Sequence, residues 1–283
     1  MPFSARAGFM ATNPDGAPWT PAEITSLIWV DALTDAQITY GAGFTVNSWA
    51  QRNGNTAFTG STSKPLYDSG SKSVQFNGST SFLQAATVFG VGANPALTTI
   101  ALITGMNIPS GQNRFFQIGE GGTTSNSAGV GVRKPVALSY GTNSSGGLAS
   151  FQFNTGFEEY NHIASSGTQF LASYVRPSGG DYQDGSYYLS GTEKARTGGS
   201  GDTETPDITG AITELGRGQD ETVTGSFYPP AYKYSEVRIH ELVTVEASDI
   251  TTRQLLEGYM AWRWGVEGNL PVGHPYKTAR PTI

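Results

Sequence analysis

Glu236 and Glu241 stand five residues apart in the run Glu236-Val237-Arg238-Ile239-His240-Glu241. Cleavage of a glycosidic bond ordinarily needs two convergent carboxyl groups, one as acid/base and one as nucleophile. A regular strand alternates its side chains, so this spacing sends the two to opposite faces, and convergence requires a bulge. The favoured reading is a structural strand whose Glu241 is held by a backbone or arginine partner. His162, His240 and His274 are scattered, without the close His/Asp/Glu spacing of a zinc site. Asp181-Tyr182-Gln183-Asp184-Gly185 puts two carboxylates in one loop. Calcium is compatible with that loop, and an ordinary turn is the simpler reading. Serines are plentiful, yet no G-x-S-x-G elbow occurs. Gly119-Glu120-Gly121-Gly122 and Gly198-Gly199-Ser200-Gly201 lack the Lys-Ser/Thr of a phosphate-binding loop. With no cysteine, disulfides, thiolate catalysis and cysteine metal sites are excluded.

Sugar recognition asks for different residues, namely rings that stack on a sugar's apolar face and planar groups that meet its hydroxyls. Tyr160, Tyr182, Tyr187, Phe227, Tyr228 and Tyr232 lie in or beside loops and are the candidates, each equally compatible with a place in the core. The net charge of −6, from 23 acidic and 17 basic residues without a Lys/Arg run, argues against nucleic acid. No apolar run approaches the length of a membrane span, and the start, MPFSARAGFMATNPDG, lacks the apolar centre of a signal peptide. Neither membrane insertion nor export by that route is expected.

These residues need a scaffold, and the composition points to strands. The 283 residues include 37 glycines and only 14% charged residues, as suits a chain of many turns, while 11% aromatics suit a packed core. Residues 1–20 are broken by Pro14, Gly16 and Pro18 and read as an arm; residues 21–283 read as one domain. Within it, Leu27 to Val30, Val74 to Phe76, Leu97 to Met106, Gln169 to Arg176, Ser186 to Leu189 and Val237 to Val245 read as strands, about a dozen in all. Leu97 to Met106 is almost continuously apolar, as in a strand buried on both faces. Asn77-Gly78 predicts a hairpin between Val74–Phe76 and Ser81–Leu83. One helix is expected near the end, capped by Ser248, with Asp249 at the positive end of its dipole, Gly265 as its stop and Gly268 and Pro271 beyond. Arg253 and Glu257 are spaced to pair along its outside. Trp262 and Trp264 point different ways, so one of them should cover the tail.

The run from Ile239-His240-Glu241-Leu242 through Glu257-Gly258-Tyr259-Met260-Ala261-Trp262-Arg263-Trp264-Gly265 to Leu270-Pro271 and His274-Pro275-Tyr276 resembles the C-terminal signature of concanavalin A-like (laminin-G-like) jelly-roll domains, common in bacteriophage virion proteins and in some bacterial surface proteins. Leu27-Ile28-Trp29-Val30-Asp31-Ala32, Val46 to Trp49 and Val74-Gln75-Phe76-Asn77-Gly78 resemble earlier motifs of the same group, so the likeness spans about residues 24 to 277. It implies an all-β fold of two antiparallel sheets with one C-terminal helix, used for carbohydrate recognition or as a virion adornment; function does not follow from fold. Glucanases of this fold carry E-x-D-x-x-E, and here Arg238 replaces the central acid. The expectation is therefore a non-enzymatic virion protein at the particle surface, a decoration, head-fibre or tail-adhesion module. Other virion proteins and host-surface glycans are its expected partners, self-association would suit it, and calcium is the one cofactor left open. A bacterial-surface adhesin and, behind it, a glycoside hydrolase are the alternatives. Trp262, Trp264, His274 and Tyr276 are expected to act as a latch that closes the sandwich.

Overall fold

A computed structural model describes residues 18–60, 63–86, 94–106, 113–118, 136–140, 148–153, 156–161, 166–199, 208, 212–220 and 231–282. Among them are two large antiparallel sheets, with strands numbered in chain order. The first runs β15 (Thr192–Glu193), β14 (Ser186–Leu189), β13 (Gln169–Arg176), β8 (Leu97–Gly105), β20 (Glu236–Val245), β6 (Ser73–Asn77), β5 (Leu66–Asp68), with β1 (Ser26–Asp31) also pairing β20. The second runs β10 (Val136–Tyr140), β9 (Asn113–Ile118), β17 (Ile212–Leu215), β7 (Leu83–Ala86), β4 (Phe58–Gly60), β3 (Val46–Trp49), β2 (Ile38–Tyr40). Two small sheets complete the set, β11 (Leu148–Phe153) with β12 (Gly156–Asn161) and β16 (Arg196–Gly199), and β18 (Arg217–Asp220) with β19 (Ala231–Tyr234). These twenty strands exceed the dozen expected, because three-residue strands such as β4 are too short to show alternation.

The main core lies between the two large sheets and includes Trp49, Phe58, Phe76, Leu83, Phe116 and Leu215, all fully buried. A second cluster lies between the first sheet and α1 (Ile250–Trp264), where Ile100, Leu102, Val243, Leu256 and Met260 meet. Full burial of an aliphatic side chain such as Leu256 contributes about 1.5–3 kcal/mol. Every residue of β8 is buried because Leu97, Ala101 and Ile103 face one cluster and Ile100 and Leu102 the other. The apolar run thus has its cause in a helix stacked behind the sheet.

The predicted Asn77-Gly78 hairpin is not formed. β6 belongs to the first sheet and β7 to the second, so this turn carries the chain across the sandwich. The Asn77 side-chain carbonyl accepts from the amides of Ser79, Thr80 and Ser81, a local turn that does not require the flanking strands to pair.

The helix begins one residue later than expected. Asp249 is its N-cap, accepting from the Thr252 amide at 2.8 Å, and Gly265 ends it in the left-handed region at φ 69°. Arg253 and Glu257 do pair at 2.6 Å, but inside the protein rather than along the outside. The sequence left open which face of the helix meets the sheet; Leu256, Tyr259, Met260 and Ala261 do, with Leu255 packed against them. Glu257 accepts from Ser173 on one oxygen at 2.8 Å and from Arg253 and His274 on the other. Trp262 donates its indole N–H to the Tyr276 carbonyl at 2.8 Å, and the Tyr276 ring lies on Gly258, where an added Cβ would stand 2.6 Å from the Tyr276 Cβ. Trp264 turns the other way, to Glu241 in the sheet. At the front, Pro18 bridges Thr282 and Trp19 is buried edge-on to Tyr259, so the last residues of the predicted arm pack on this layer. Residues 1–17 lie outside the described residues.

Candidate ligand-binding face

Among the described residues the inner faces of both sheets are core and the back of the first sheet is covered by α1, which leaves the outer face of the second sheet. Its composition follows from register. Leu83, Ala85, Phe116, Ile118 and Leu215 point into the core, so the residues between them point outward. Cross-strand pairing then aligns Gln117, Glu214, Gln84, Thr59, Ser48 and Thr39 in one row across β9, β17, β7, β4, β3 and β2. Every member carries a hydroxyl, an amide or a carboxyl. At the usual strand spacing the row is about 24 Å long. Gln84, Thr59 and Thr39 are exposed, whereas Gln117 and Glu214 are buried.

The buried end is built by the β18–β19 hairpin. Gly216, at φ 84°, turns the chain back, and Gly218 lies so close that a Cβ there would sit 2.6 Å from Arg114 Cδ and 2.8 Å from Gln117 Oε1. Arg217 donates to Glu214 Oε1 from Nε at 2.9 Å and from Nη2 at 2.6 Å, and its guanidinium lies over the Phe82 ring. Burial raises the Glu214 carboxyl above its ordinary value, against the pull of Arg217 and Arg114. Its Oε2 is buried and has no hydrogen-bond partner among the described residues. The row thus offers graded chemistry, from a buried, arginine-held carboxyl at β17 to exposed amide and hydroxyl groups beyond it.

Glu236 and Glu241 do not assemble into a carboxylate pair. A bulge in β20 between Ile239 and Glu241 interrupts its register with β8. It moves Glu241 from the core face to the helix face, the side on which Glu236 also lies, but roughly 15 Å of strand separates them. Glu241 is sealed in, accepting from Trp29 Nε1 at 2.9 Å and Trp264 Nε1 at 2.7 Å, with Arg263 Nε at 3.4 Å. Directly across the strand pair stands Asp31, equally buried, which accepts from Arg52 at 2.8 Å and from Arg263. Two arginines therefore offset two adjacent buried acids. Burial, then the charge of Asp31, pushes Glu241 up to about 7. His240 accepts from the Thr104 hydroxyl through Nε2 at 2.9 Å and donates to the Lys72 carbonyl through Nδ1 at 3.2 Å; burial lowers it to about 4.

Among the sequence candidates for sugar binding, Tyr187 is corrected: it is 1% exposed and belongs to the main core, because β14 pairs with β13 and turns that ring inward. Tyr160 lies in β12, Tyr182 in a single turn of 3-10 helix and Tyr232 in β19, with side chains outside the described set. His162, Phe227 and Tyr228 lie outside the described residues altogether. Asp181 and Asp184 cap that turn reciprocally, Asp181 accepting from the amides of Gln183 and Asp184 and Asp184 from that of Asp181. Among the described residues no three metal-ligating groups come together. The sequence reasoning missed the outer row, since Gln84, Thr59 and Ser48 are ordinary residues until register aligns them.

No protein-family model matches the chain, and a search of curated protein sequences gives no match either. Solved structures do match. A Trypanosoma rangeli sialidase in complex with 2,3-difluorosialic acid superposes with a TM-score of 0.50 at 13% identity, covering 89% of this chain and 35% of that one. The fold is a concanavalin A-like sandwich. A Limulus polyphemus SAP-like pentraxin (TM-score 0.44, 16% identity, 65% of this chain and 81% of that) has the same fold. So does domain 4 of an extracellular arabinanase from Geobacillus stearothermophilus, in complex with arabinotriose (0.37, 13%, 71% and 81%). The chain spans about a third of the length of the sialidases it matches.

These matches overturn the expectation of a chain that is not an enzyme. That expectation rested on the motif resemblance and on the lack of a recognised catalytic set, the E-x-D-x-x-E strand included; sialidases work with a tyrosine nucleophile instead of a second carboxylate. At this identity the likeness is one of fold, and no sialidase residue is carried over.

Proposed function

We propose that the chain is a surface module of a bacteriophage particle, in a capsid-decoration, head-fibre or tail-adhesion role, and that it engages host-surface glycans through the outer face of its second sheet. The observation that carries this reading is the row Gln117-Glu214-Gln84-Thr59-Ser48-Thr39, six polar side chains aligned by register on the outer face of the second sheet, with Gln84, Thr59 and Thr39 exposed among the described residues. Amides and hydroxyls on a rigid sheet are suited to sugar hydroxyls, each donating and accepting without the desolvation cost of a full charge. The C-terminal motifs, resembling those of virion sandwich domains, support the location.

A glycan array probed with the whole chain, with and without calcium, tests the binding. Gln84→Ala and Thr59→Ala each remove an exposed group at the row's centre and should weaken any signal while leaving thermal unfolding unchanged. An array without hits, or hits indifferent to both substitutions, would refute this use of the face. Mass spectrometry or cryo-electron microscopy of purified virions tests the location, which fails if the chain is missing from the particle.

A further inference from the structure

We infer that the cleft between residues 22–27 and the loop joining β3 to β4 is a binding site for a neutral sugar ring, held by Arg52, Asn55 and Glu23. The cleft lies at the edge of β1 in the first sheet and shares no residue with the polar row, so it is a second site beyond the reading above.

Its walls are fixed. β1 pairs with β20 alone, and its other edge is met by side chains instead of a strand. Gln51 Oε1 accepts from the Trp29 amide at 3.3 Å, Asn53 Nδ2 donates to the Ser26 carbonyl at 2.8 Å, and Asn55 Nδ2 donates to the Leu27 carbonyl at 2.9 Å. The Arg52 amide adds a bond to the Trp29 carbonyl at 2.8 Å. With these backbone groups taken, the edge offers no pairing there to a peptide strand. What the two segments enclose is a cavity of about 570 Å³, within the range of small-ligand sites.

Arg52 is anchored at one end and open at the other. Its Nη1 donates to Asp31 Oδ2 at 2.8 Å and to Thr34 Oγ1 at 3.0 Å, and its guanidinium carbon lies 4.8 Å from the Trp29 ring centroid. Asp31 is fully buried, whereas the Arg52 side chain is 30% exposed. Among the described residues its Nε and Nη2 have no partner, and together they form one edge of the guanidinium fork, spaced for two neighbouring oxygens. A donor pair already held in place is ordered at little further cost when a ligand arrives.

The acceptors decide the ligand class. Asn55 uses Nδ2 on Leu27 and keeps its Oδ1 open, and Glu23, exposed on the other segment, bonds nothing among the described residues. A carboxylate or phosphate ligand only accepts, so it would suit Arg52 and leave Asn55 Oδ1 and Glu23 facing further acceptors. A hydroxyl both donates and accepts. Adjacent ring hydroxyls can accept from Arg52 and donate to Asn55 and Glu23, while half-buried Ile24 gives apolar surface to the C–H face of the ring. The charges of Arg52 and Glu23 are opposite, which again favours a neutral ring over a uronic acid.

The test is an NMR titration of the whole chain, following the Arg52 Nε–H and the side-chain amides of Asn53 and Asn55, with glucose, galactose and mannose as probes. At least one hexose should shift these signals saturably, and its uronic acid should bind more weakly. Glu23→Ala breaks no bond seen within the chain, so its thermal unfolding should be unchanged while the affinity falls about tenfold. Arg52→Lys keeps the charge, loses the fork and should weaken binding at least as much; if loss of the Asp31 contact unfolds that variant, Glu23→Ala alone decides. No shift with any hexose, tighter binding of the uronic acid, or undiminished affinity in Glu23→Ala would overturn the inference. Shifts at the Gln84 and Gln117 amides with the Arg52, Asn53 and Asn55 signals unmoved would also overturn it, while leaving the outer-face reading in place.

Discussion

Trp264→Phe isolates one hydrogen bond in the layer between helix and sheet. The Trp264 indole donates to Glu241 Oε2 at 2.7 Å, and its ring lies edge-on to His240 at 5.3 Å. Phenylalanine retains much of the ring contact and loses the donor. Glu241 is fully buried, so water does not replace that donor, and a hydrogen bond to an ionised group contributes about 1.5–3 kcal/mol. The cost depends on whether Glu241 is ionised. Its folded-state value, pushed up to about 7 by burial and Asp31, lies above the ordinary 4.5. A group raised in this way contributes stability that is full below its unfolded value and is lost as pH rises through its folded value. Wild-type stability should therefore decline between about pH 5 and pH 8 on this account. Removing the indole donor disfavours the carboxylate further, so Trp264→Phe should cost about 1 kcal/mol at the acid end, where Glu241 is protonated, and about 2–3 kcal/mol at the alkaline end. Urea unfolding followed by far-ultraviolet circular dichroism at both ends measures it. In a Glu241→Gln background the pH dependence of the substitution should vanish. A cost that is the same at both ends in the wild-type background, or a pH dependence that persists in the Glu241→Gln background, would refute the reasoning. Trp264→Ala adds lost packing and should cost about 3 kcal/mol or more at either end.

Other substitutions probe the same layer. Glu257→Ala removes the shared acceptor of Ser173, Arg253 and His274 and leaves a buried cation behind; a loss of about 3–5 kcal/mol in urea unfolding is expected, and a loss below about 1 kcal/mol would show the network to be dispensable. Gly258→Ala drives a Cβ into the Tyr276 ring and should cost about 1–3 kcal/mol, with proteolysis of the tail at lower denaturant; unchanged protection would mean that the tail moves freely off the helix. Asp249→Ala should cost about 1 kcal/mol, whereas Ser248→Ala should cost little, and thermal unfolding of the two variants distinguishes the cap observed from the one expected.

How far the sequence reads through depends on the range of the interaction. Helix α1, its Gly265 stop and the apolar β8 are legible because their signals are local: periodicity, a left-handed cap and an uninterrupted apolar run. The C-terminal motifs likewise pointed to the sandwich, since they recur with it. Asn77-Gly78 misled for the complementary reason, because a turn motif specifies how the chain bends and not which sheet receives it. Tyr187 looked available beside a loop, and only its pairing partner turned it into the core.

Glu241 and the polar row mark the boundary between the two kinds of information. By itself the sequence determined that Glu236 and Glu241 share a strand, that Arg238 stands where a glucanase has its central acid, and that a helix with two tryptophans follows. The tertiary structure decided that a one-residue bulge turns Glu241 toward those tryptophans and Asp31, and that residues from six strands align on one outer sheet face. Register is a cooperative property of a whole sheet, in which a slip of one residue reverses every side chain. No single segment encodes it, and so the buried carboxylate pair and the row become visible only in the folded chain.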